Sequence, residues 1–264
     1  MNFLFWNTYK NENINSILSD IIIEHNASIV ILAEYIAKMD ELIELLYHTG
    51  IKMEEYNTCC ERIKLLGTLI DVELKLDTER YTIQIIGGNI ILCCVHLNSK
   101  LYTGNEQYRE IIIEQIVHDV QSIEEEIGSE NSIIVGDFNL NPYDASCIDA
   151  RFFHSLPVYK ETTRKKRKIA GKNYSMFYNP MWNLLGDFKE PYGTYYYNSG
   201  GTQNTYWNLF DQVIIRPSLR ENFVDNSLCI ISETSERYLL DSEGHPKKEI
   251  SDHLPIYFEI KEDT

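Results

Sequence analysis

Ile133-Ile134-Val135-Gly136-Asp137-Phe138-Asn139 carries an apolar β-type run into a glycine, then into two polar side chains two positions apart. Successive side chains of an extended strand point to opposite faces, so Asp137 and Asn139 are expected to share one side and face a cleft at the strand's end. An acid and an amide placed there can hold an attacking water and a phosphoryl oxygen. The same residues would also serve as an Asx turn that closes a strand. What the rest of the chain delivers to the same place decides between these readings.

Upstream of that strand, Glu106–Glu126 reads as a long helix with Ile112, Ile113, Ile116 and Val120 on one side and a stop near Gly128. Before it come three β-type pieces, the alternating Thr68–Leu76, Tyr81–Ile86 and the nearly all-apolar Ile90–Val95. At the start of the chain, Phe3–Trp6 reads as a strand. Ile14, Ile17, Leu18, Ile21 and Ile22 then repeat at helical spacing, with Asn11 or Asn13 placed to cap. Ser28–Ala33 is a buried strand, followed by a helix near Asp40–His48 that ends at Gly50. Downstream, Gln212–Ile215, Ser227–Ile231 and Leu254–Ile260 read as strands, while no element stands out between Tyr159 and Trp207. A stretch of that length without elements is usually functional or partly disordered. No repeat or linker-like shift divides the chain. The expectation is one domain over residues 1–264 of α/β (α+β) type, its buried strands covered by helices, with a long basic and aromatic insertion at about 159–207.

With 264 residues, 44% of them hydrophobic, the chain can bury a sizeable core. Its formal net charge of −16 argues against a tight, passive DNA-binding module, because such modules grip phosphates with basic surfaces. It does not exclude a phosphate substrate at a metal site. Six cysteines include no CxxC pair, and Cys93 and Cys94 lie inside an apolar run. Buried, reduced thiols in a reducing compartment are the expectation. The amino terminus lacks a basic segment followed by a long apolar stretch, and no run approaches the ~18 apolar residues of a membrane span. The expected setting is cytoplasmic.

Other strand ends repeat the pattern of the opening stretch. Ser251-Asp252-His253-Leu254-Pro255-Ile256 puts an acid and a histidine at the start of an apolar run. A carboxylate there can bind a hard cation, and the histidine can move a proton or stabilise phosphoryl charge. Asp211 opens Gln212–Ile215, placed to orient a histidine by accepting its Nδ1 proton. Asn7 closes the first strand, Glu34 closes Ile29–Ala33, and Val95 leads into His96 with Ser99 three positions on. Loops at strand ends are where α/β proteins build sites.

In this order, Asn7, Glu34, His96, Gly136-Asp137-Phe138-Asn139, Asp211 and Ser251-Asp252-His253 resemble the endonuclease/exonuclease/phosphatase superfamily of DNase I-like and exonuclease III-like enzymes, over nearly the whole chain. The resemblance implies a four-layer sandwich, two mixed β-sheets packed face to face and flanked by helices. It implies that Glu34, with Asn7 and Asp252, holds Mg²⁺ or Mn²⁺. It implies that Asp137 orients or deprotonates the attacking water, and that Asn139 binds a non-bridging oxygen. His253, oriented by Asp211, is implied as general base or phosphate-binding acid, and His96 and Ser99 as phosphate contacts on the leaving-group side. Some DNase-like members pair the first histidine with an upstream glutamate; Glu54, Glu55, Glu61 and Glu73 are all available here.

The resemblance thus implies a metal-dependent phosphodiesterase. A nuclease acting on DNA or RNA is the first expectation. Arg164-Lys165-Lys166-Arg167-Lys168 forms a basic knot, with Arg164, Lys165 and Lys166 as candidate phosphate contacts, and Tyr174–Trp207 carries eleven aromatics among 34 residues. Aromatics beside a basic segment can stack the bases of an unpaired strand; equally, they can staple a long loop to the sandwich. The alternatives are a phosphoinositide or sphingomyelin-type phosphoesterase of the same superfamily, and a catalytically inactive scaffold.

Overall fold

The computed structural model describes residues 1–68, 71–99, 105–199, 201–202 and 204–261. In chain order the elements begin β1 (Asn2–Asn7), α1 (Asn15–Glu24), β2 (Ile29–Ala33), α2 (Met39–His48), β3 (Glu54–Tyr56) and β4 (Ile63–Gly67). Next come β5 (Val72–Asp77), β6 (Tyr81–Ile86), β7 (Ile90–His96), α3 (Asn105–Ile127) and β8 (Ser132–Asp137). Shorter pieces follow: α4 (Ala145–Ile148), β9 (Ser155–Leu156), α5 (Tyr159–Thr162), β10 (Lys166–Ile169), β11 (Lys172–Ser175), β12 (Phe177–Tyr178), β13 (Tyr195–Tyr196) and β14 (Trp207–Asn208). The chain closes with β15 (Asp211–Ile215), β16 (Cys229–Ile230) and β17 (Ile256–Glu259).

Two mixed sheets result. Six strands run in the order β16-β17-β1-β2-β4-β3, and seven in the order β5-β6-β7-β8-β15-β12-β9. β1 and β2 are parallel and joined by α1; β7 and β8 are parallel and joined by α3. Both are β-α-β crossovers, which bring the carboxyl ends of their strands to one edge of the sheet. Period-two alternation sorts the core. Leu92, Cys94, Ile133, Val135, Val213 and Ile215 face the other sheet in a core shared with α1 and α2. Their neighbours Ile91, Cys93, Val95, Ile134 and Ile214 face Ile113, Ile116 and Val120 of α3. The layers are therefore helix, sheet, sheet, helix, as the resemblance implies. No helix among the described residues is long and apolar enough to cross a membrane.

Several local expectations are corrected. Neither Asn11 nor Asn13 caps α1, which begins after Ile14 without a side-chain cap. Asn11 instead ties the loop to the distant chain, its amide donating to the carbonyls of Glu249 and Ile250 at 3.2 and 2.9 Å. The alternating stretch Thr68–Leu76 forms β5 only from Val72, and residues 69 and 70 lie outside the described residues. The segment 159–207 is not without elements. β12 joins the seven-stranded sheet between β15 and β9, while β10 and β11 make a separate hairpin turning through Ala170 and Gly171, both at positive φ.

Candidate active site

Strand order dictates what meets at one edge of the sandwich. Reading across the six-stranded sheet, His253 precedes β17, Asn7 ends β1, Glu34 follows β2 and Arg62 precedes the antiparallel β4. Across the seven-stranded sheet, Asp211 opens the antiparallel β15, Asp137 ends β8, His96 ends β7 and Arg80 precedes β6. The two rows face each other as rungs: His253 with Asp211, Asn7 with Asp137, Glu34 with His96, and Arg62 with Arg80. All of them but Asp211, which lies buried behind His253, line a cavity of about 870 Å³, together with Lys10, Ser99, Asn139, Tyr195, Tyr197 and Asp252 among others.

The backbone is bent to achieve this. Gly136 sits at φ +153°, and any Cβ there would collide with the Val95 carbonyl of β7. Only glycine lets β8 lie so close, which sets Asp137 beside His96 in register on one side and beside Asp211 on the other. Asn139 has φ +49°, and its N–H donates to Asp137 Oδ1 at 2.8 Å. The two side chains therefore reach the cavity through an Asx turn rather than through extended backbone. Glu34 also has positive φ, at +52°. Left-handed non-glycine residues are costly and concentrate where function demands them.

Hydrogen bonds hold each catalytic candidate in one orientation. His253 Nδ1 lies 2.7 Å from Asp211 Oδ2. The His253 carbonyl accepts from the Trp6 indole at 2.9 Å, and its N–H donates to Ser251 Oγ at 3.1 Å. Tyr195 packs on the His253 ring with centroids 4.8 Å apart. Asp137 Oδ2 accepts from Asn7 Nδ2 at 3.0 Å, with His96 Nε2 and His253 Nε2 at 3.7 and 3.9 Å. Asn139 Nδ2 donates to the Leu97 carbonyl at 3.0 Å. The glutamate facing His96 Nε2, also at 3.7 Å, is Glu34 rather than Glu54, Glu55, Glu61 or Glu73.

Burial and charge then separate the two histidines. Burial pushes His96 down to about 3, helped by Arg62, His253, Arg80 and Lys10, so its ring is neutral. Burial would do the same to His253, but the carboxylates of Asp211 and Asp137 outweigh it and hold the ring well above its ordinary value, as imidazolium. Burial raises the Asp137 carboxyl against the pull of His253, and raises Asp252, where the Glu34 and Asp211 charges add to the effect.

Four carboxyl groups (Glu34, Asp137, Asp211 and Asp252) thus meet one imidazolium and one neutral imidazole. That excess of negative charge suits a divalent cation. Asp252 Oδ1 is buried with no hydrogen-bond partner, a free lone pair where a cation ligand would need one. Asp137, Asp211 and His253 also lie within a metal's reach of one another. The 2.7 Å contact already occupies His253 Nδ1 and Asp211 Oδ2, however, which makes that trio a hydrogen-bonded relay.

One expected group lies elsewhere. Arg164, Lys165 and Lys166 are exposed at the opposite end of β8, where Lys165 pairs with Glu130 at 2.8 Å, just before that strand begins. Their basic run is a solvated edge of the hairpin and does not reach the cavity. Arg62, Arg80 and Lys10, which do line it, were not expected from the sequence.

No family model matches the sequence, and no curated protein matches it. Solved structures do share its fold. An AP endonuclease from Archaeoglobus fulgidus aligns over 98% of this chain and 99% of its own, with a TM-score of 0.60 at 14% identity. The 3′ phosphatase NExo from Neisseria, bound to a product DNA hairpin, aligns over 99% and 100% with a TM-score of 0.59 at 16% identity. D. rerio TDP2 complexed with a single-strand DNA product aligns over 98% and 97% with a TM-score of 0.55 at 17% identity. The architecture implied by the resemblance is the architecture observed.

Proposed function

We propose that a chain with this fold and this rim is a divalent-metal-dependent phosphodiesterase whose substrate is nucleic acid. The observation that carries the reading is the set of polar rungs, in which three carboxyl groups and two histidines line one cavity and a fourth carboxylate, Asp211, holds His253 from behind. Glu34 and Asp252, with Asn7 beside them, would hold Mg²⁺ or Mn²⁺, since oxygen donors suit a hard cation. Such an ion, when bound, neutralises phosphoryl charge and stabilises the leaving oxygen.

The chain's own residues divide the remaining work. Asp137 is buried and its carboxyl is raised, so it takes the proton of the attacking water, while Asn7 and the Asn139 N–H hold it in one orientation. The water oxygen bonds to phosphorus and the bond to the leaving oxygen breaks. His253 is charged and tethered by Asp211, so it donates to a phosphoryl oxygen rather than acting as base. Asn139, which lines the cavity and gives one amide hydrogen to the Leu97 carbonyl, would donate the other to a non-bridging oxygen. His96, 3.7 Å from Asp137, and Ser99, which lines the same cavity, would contact the phosphate on the leaving-group side. Nucleic acid is favoured because the aligned Neisseria and D. rerio enzymes were solved with DNA products.

The test is purified protein with Mg²⁺ or Mn²⁺ against single-stranded DNA, duplex DNA, abasic DNA, RNA and phosphoinositides. Hydrolysis of at least one nucleic acid, abolished by EDTA, is expected. Asp137→Asn should lower kcat by ~10²–10⁴ with an unaltered circular-dichroism spectrum. Turnover confined to lipid head groups, or undiminished in the variant, refutes the reading.

A further inference from the structure

The proposed reaction uses three of the four rungs and leaves the Arg62–Arg80 rung unassigned. Two strand spacings, about 10 Å, separate that rung from Asp137 and Asn7. Among the described residues, both guanidiniums meet only one carboxylate between them: Glu79 Oε1 lies 3.6 Å from Arg62 and 3.3 Å from Arg80, on a side chain 65% exposed. Arg80 itself is largely covered, at 14% side-chain exposure, and its Nε is buried with no hydrogen-bond partner. Each positive charge opposes the other. Two cations held together, one with a buried donor unused, are stabilised by an anion that binds both. Lys10 adds a third cation on the same side, and from there the cavity continues into a second space of about 630 Å³, also lined by Arg62.

The opposite end of the rim is aromatic. Tyr195 covers His253, and the Tyr197 ring follows it at 6.4 Å, stacked and 42% exposed. A base can lie on such a face whatever its identity. The cavity therefore has a polarity: phosphate-binding cations at one end, the reacting groups in the middle and a stacking face at the other. It offers one cationic strip. The phosphates of a second strand would need another, but the densest basic run, Arg164–Lys168, lies at the opposite end of β8 in a chain of net charge −16.

Building on the phosphodiesterase reading, we propose that the substrate is a single unpaired strand. Arg62, Arg80 and Lys10 take a phosphate next to the scissile one, and the Tyr195–Tyr197 face takes a base on the other side.

The test compares one oligonucleotide, single-stranded and in duplex, with bis(p-nitrophenyl) phosphate, a diester with no neighbouring phosphate. The wild-type kcat/KM should favour the single strand about tenfold or more, with a salt slope of about −1.4 for two neutralised phosphates, the scissile one and its neighbour. Arg62→Gln/Arg80→Gln should lower single-strand kcat/KM by about tenfold or more, chiefly through KM, and reduce the slope by about 0.7. The small diester should lose much less, and Arg62→Lys/Arg80→Lys should regain part of the single-strand activity. Tyr197→Ala should weaken single-strand binding by about tenfold. Duplex turned over as fast as single strand, or equal losses on both substrates in the double glutamine variant, overturns this proposal and leaves the nuclease reading standing. Hydrolysis of the small diester with no nucleic acid cleaved overturns both.

Discussion

Asp211→Asn isolates the tether of His253 without removing volume. In the wild type, Asp211 Oδ2 sits 2.7 Å from His253 Nδ1, at a site with neither residue more than 6% exposed. For charge centres about 4 Å apart and an effective dielectric near 20, one carboxylate stabilises the imidazolium by about 4 kcal/mol, or roughly three pKa units. Asp137, 3.9 Å from Nε2, still acts in the variant, and burial still opposes the charge. The His253 titration should therefore fall by about two to three units, from well above neutrality to near it. The measurement is side-chain NMR across pH in EDTA, with His253 assigned among the seven histidines by the spectrum of His253→Gln. At pH 7–8 kcat should drop by ~10²–10⁴, and part of the loss should return at lower pH as the ring regains its proton. Stability follows the same sign. A raised folded value favours folding in full below the unfolded value near 6.5, and that contribution fades as pH rises through the folded value. An unmoved titration, or a variant whose pH–rate profile matches the wild type, would refute the assignment of His253 as a carboxylate-held cation.

His96 gives the opposite linkage. Its folded value of about 3 lies below the unfolded value, so the unfolded chain binds the extra proton between about pH 6.5 and 3, and stability falls as pH drops by up to ~1.4 kcal/mol per unit. His96→Gln should flatten that limb in metal-free melts at pH 7, 6, 5 and 4; parallel curves would contradict a neutral buried ring. Gly136→Ala must push β8 away from the Val95 carbonyl at a disallowed φ, and a loss of ~3 kcal/mol should lower Tm by roughly 6–12 °C. An unchanged melt would show that β7 and β8 tolerate the added carbon. Replacing Arg164–Lys168 by Ser should leave kcat, KM and the salt slope on nucleic acid unchanged, because the run is exposed at the far end of β8. A flattened slope would restore that run to the substrate path.

The layers were legible because period-two and period-3.6 apolar patterns mark strands and helices that bury a face, as in Ile90–Val95 and Ile113-Ile116-Val120. What escaped was structure that buries little. β10 exposes Lys166, Arg167 and Lys168 and packs on no sheet, so no alternation announces it. β4 follows Cys-Cys-Glu-Arg with no alternating pattern to mark it, and nothing local distinguishes Arg62 or Arg80 from other charged residues of the chain. Their position follows from strand order, which brings β4 beside β2 and β6 beside β7, and no local pattern encodes that. Asn7, Glu34, His96, Asp137, Asp211 and His253 were easier, since each sits at the boundary of an apolar run. Even so, the route of Asn139 into the cavity was misjudged, because a left-handed residue breaks the alternation on which an extended reading depends.

The two ends of the sandwich are built on opposite terms. At the end away from the cavity, Arg216 forms two hydrogen bonds to Glu124 at 2.7 and 3.2 Å, stacks on Phe177 and donates to the Met176 carbonyl, while Ser132 Oγ binds the same carboxylate at 2.5 Å. That buried ion pair is well supplied with partners, which is the condition under which burying charge is tolerable. At the rim, His96 Nδ1, Asp211 Oδ1 and Asp252 Oδ1 are buried without partners, and Glu34, Gly136 and Asn139 hold positive φ. Gly136 serves the close packing of β8 on β7, whereas the unpartnered atoms and the left-handed Glu34 and Asn139 are each destabilising by themselves. Unpartnered atoms and left-handed residues occur at the far end too, at His154 and Lys165, but those at the rim border the cavity and keep donors and acceptors open for a ligand.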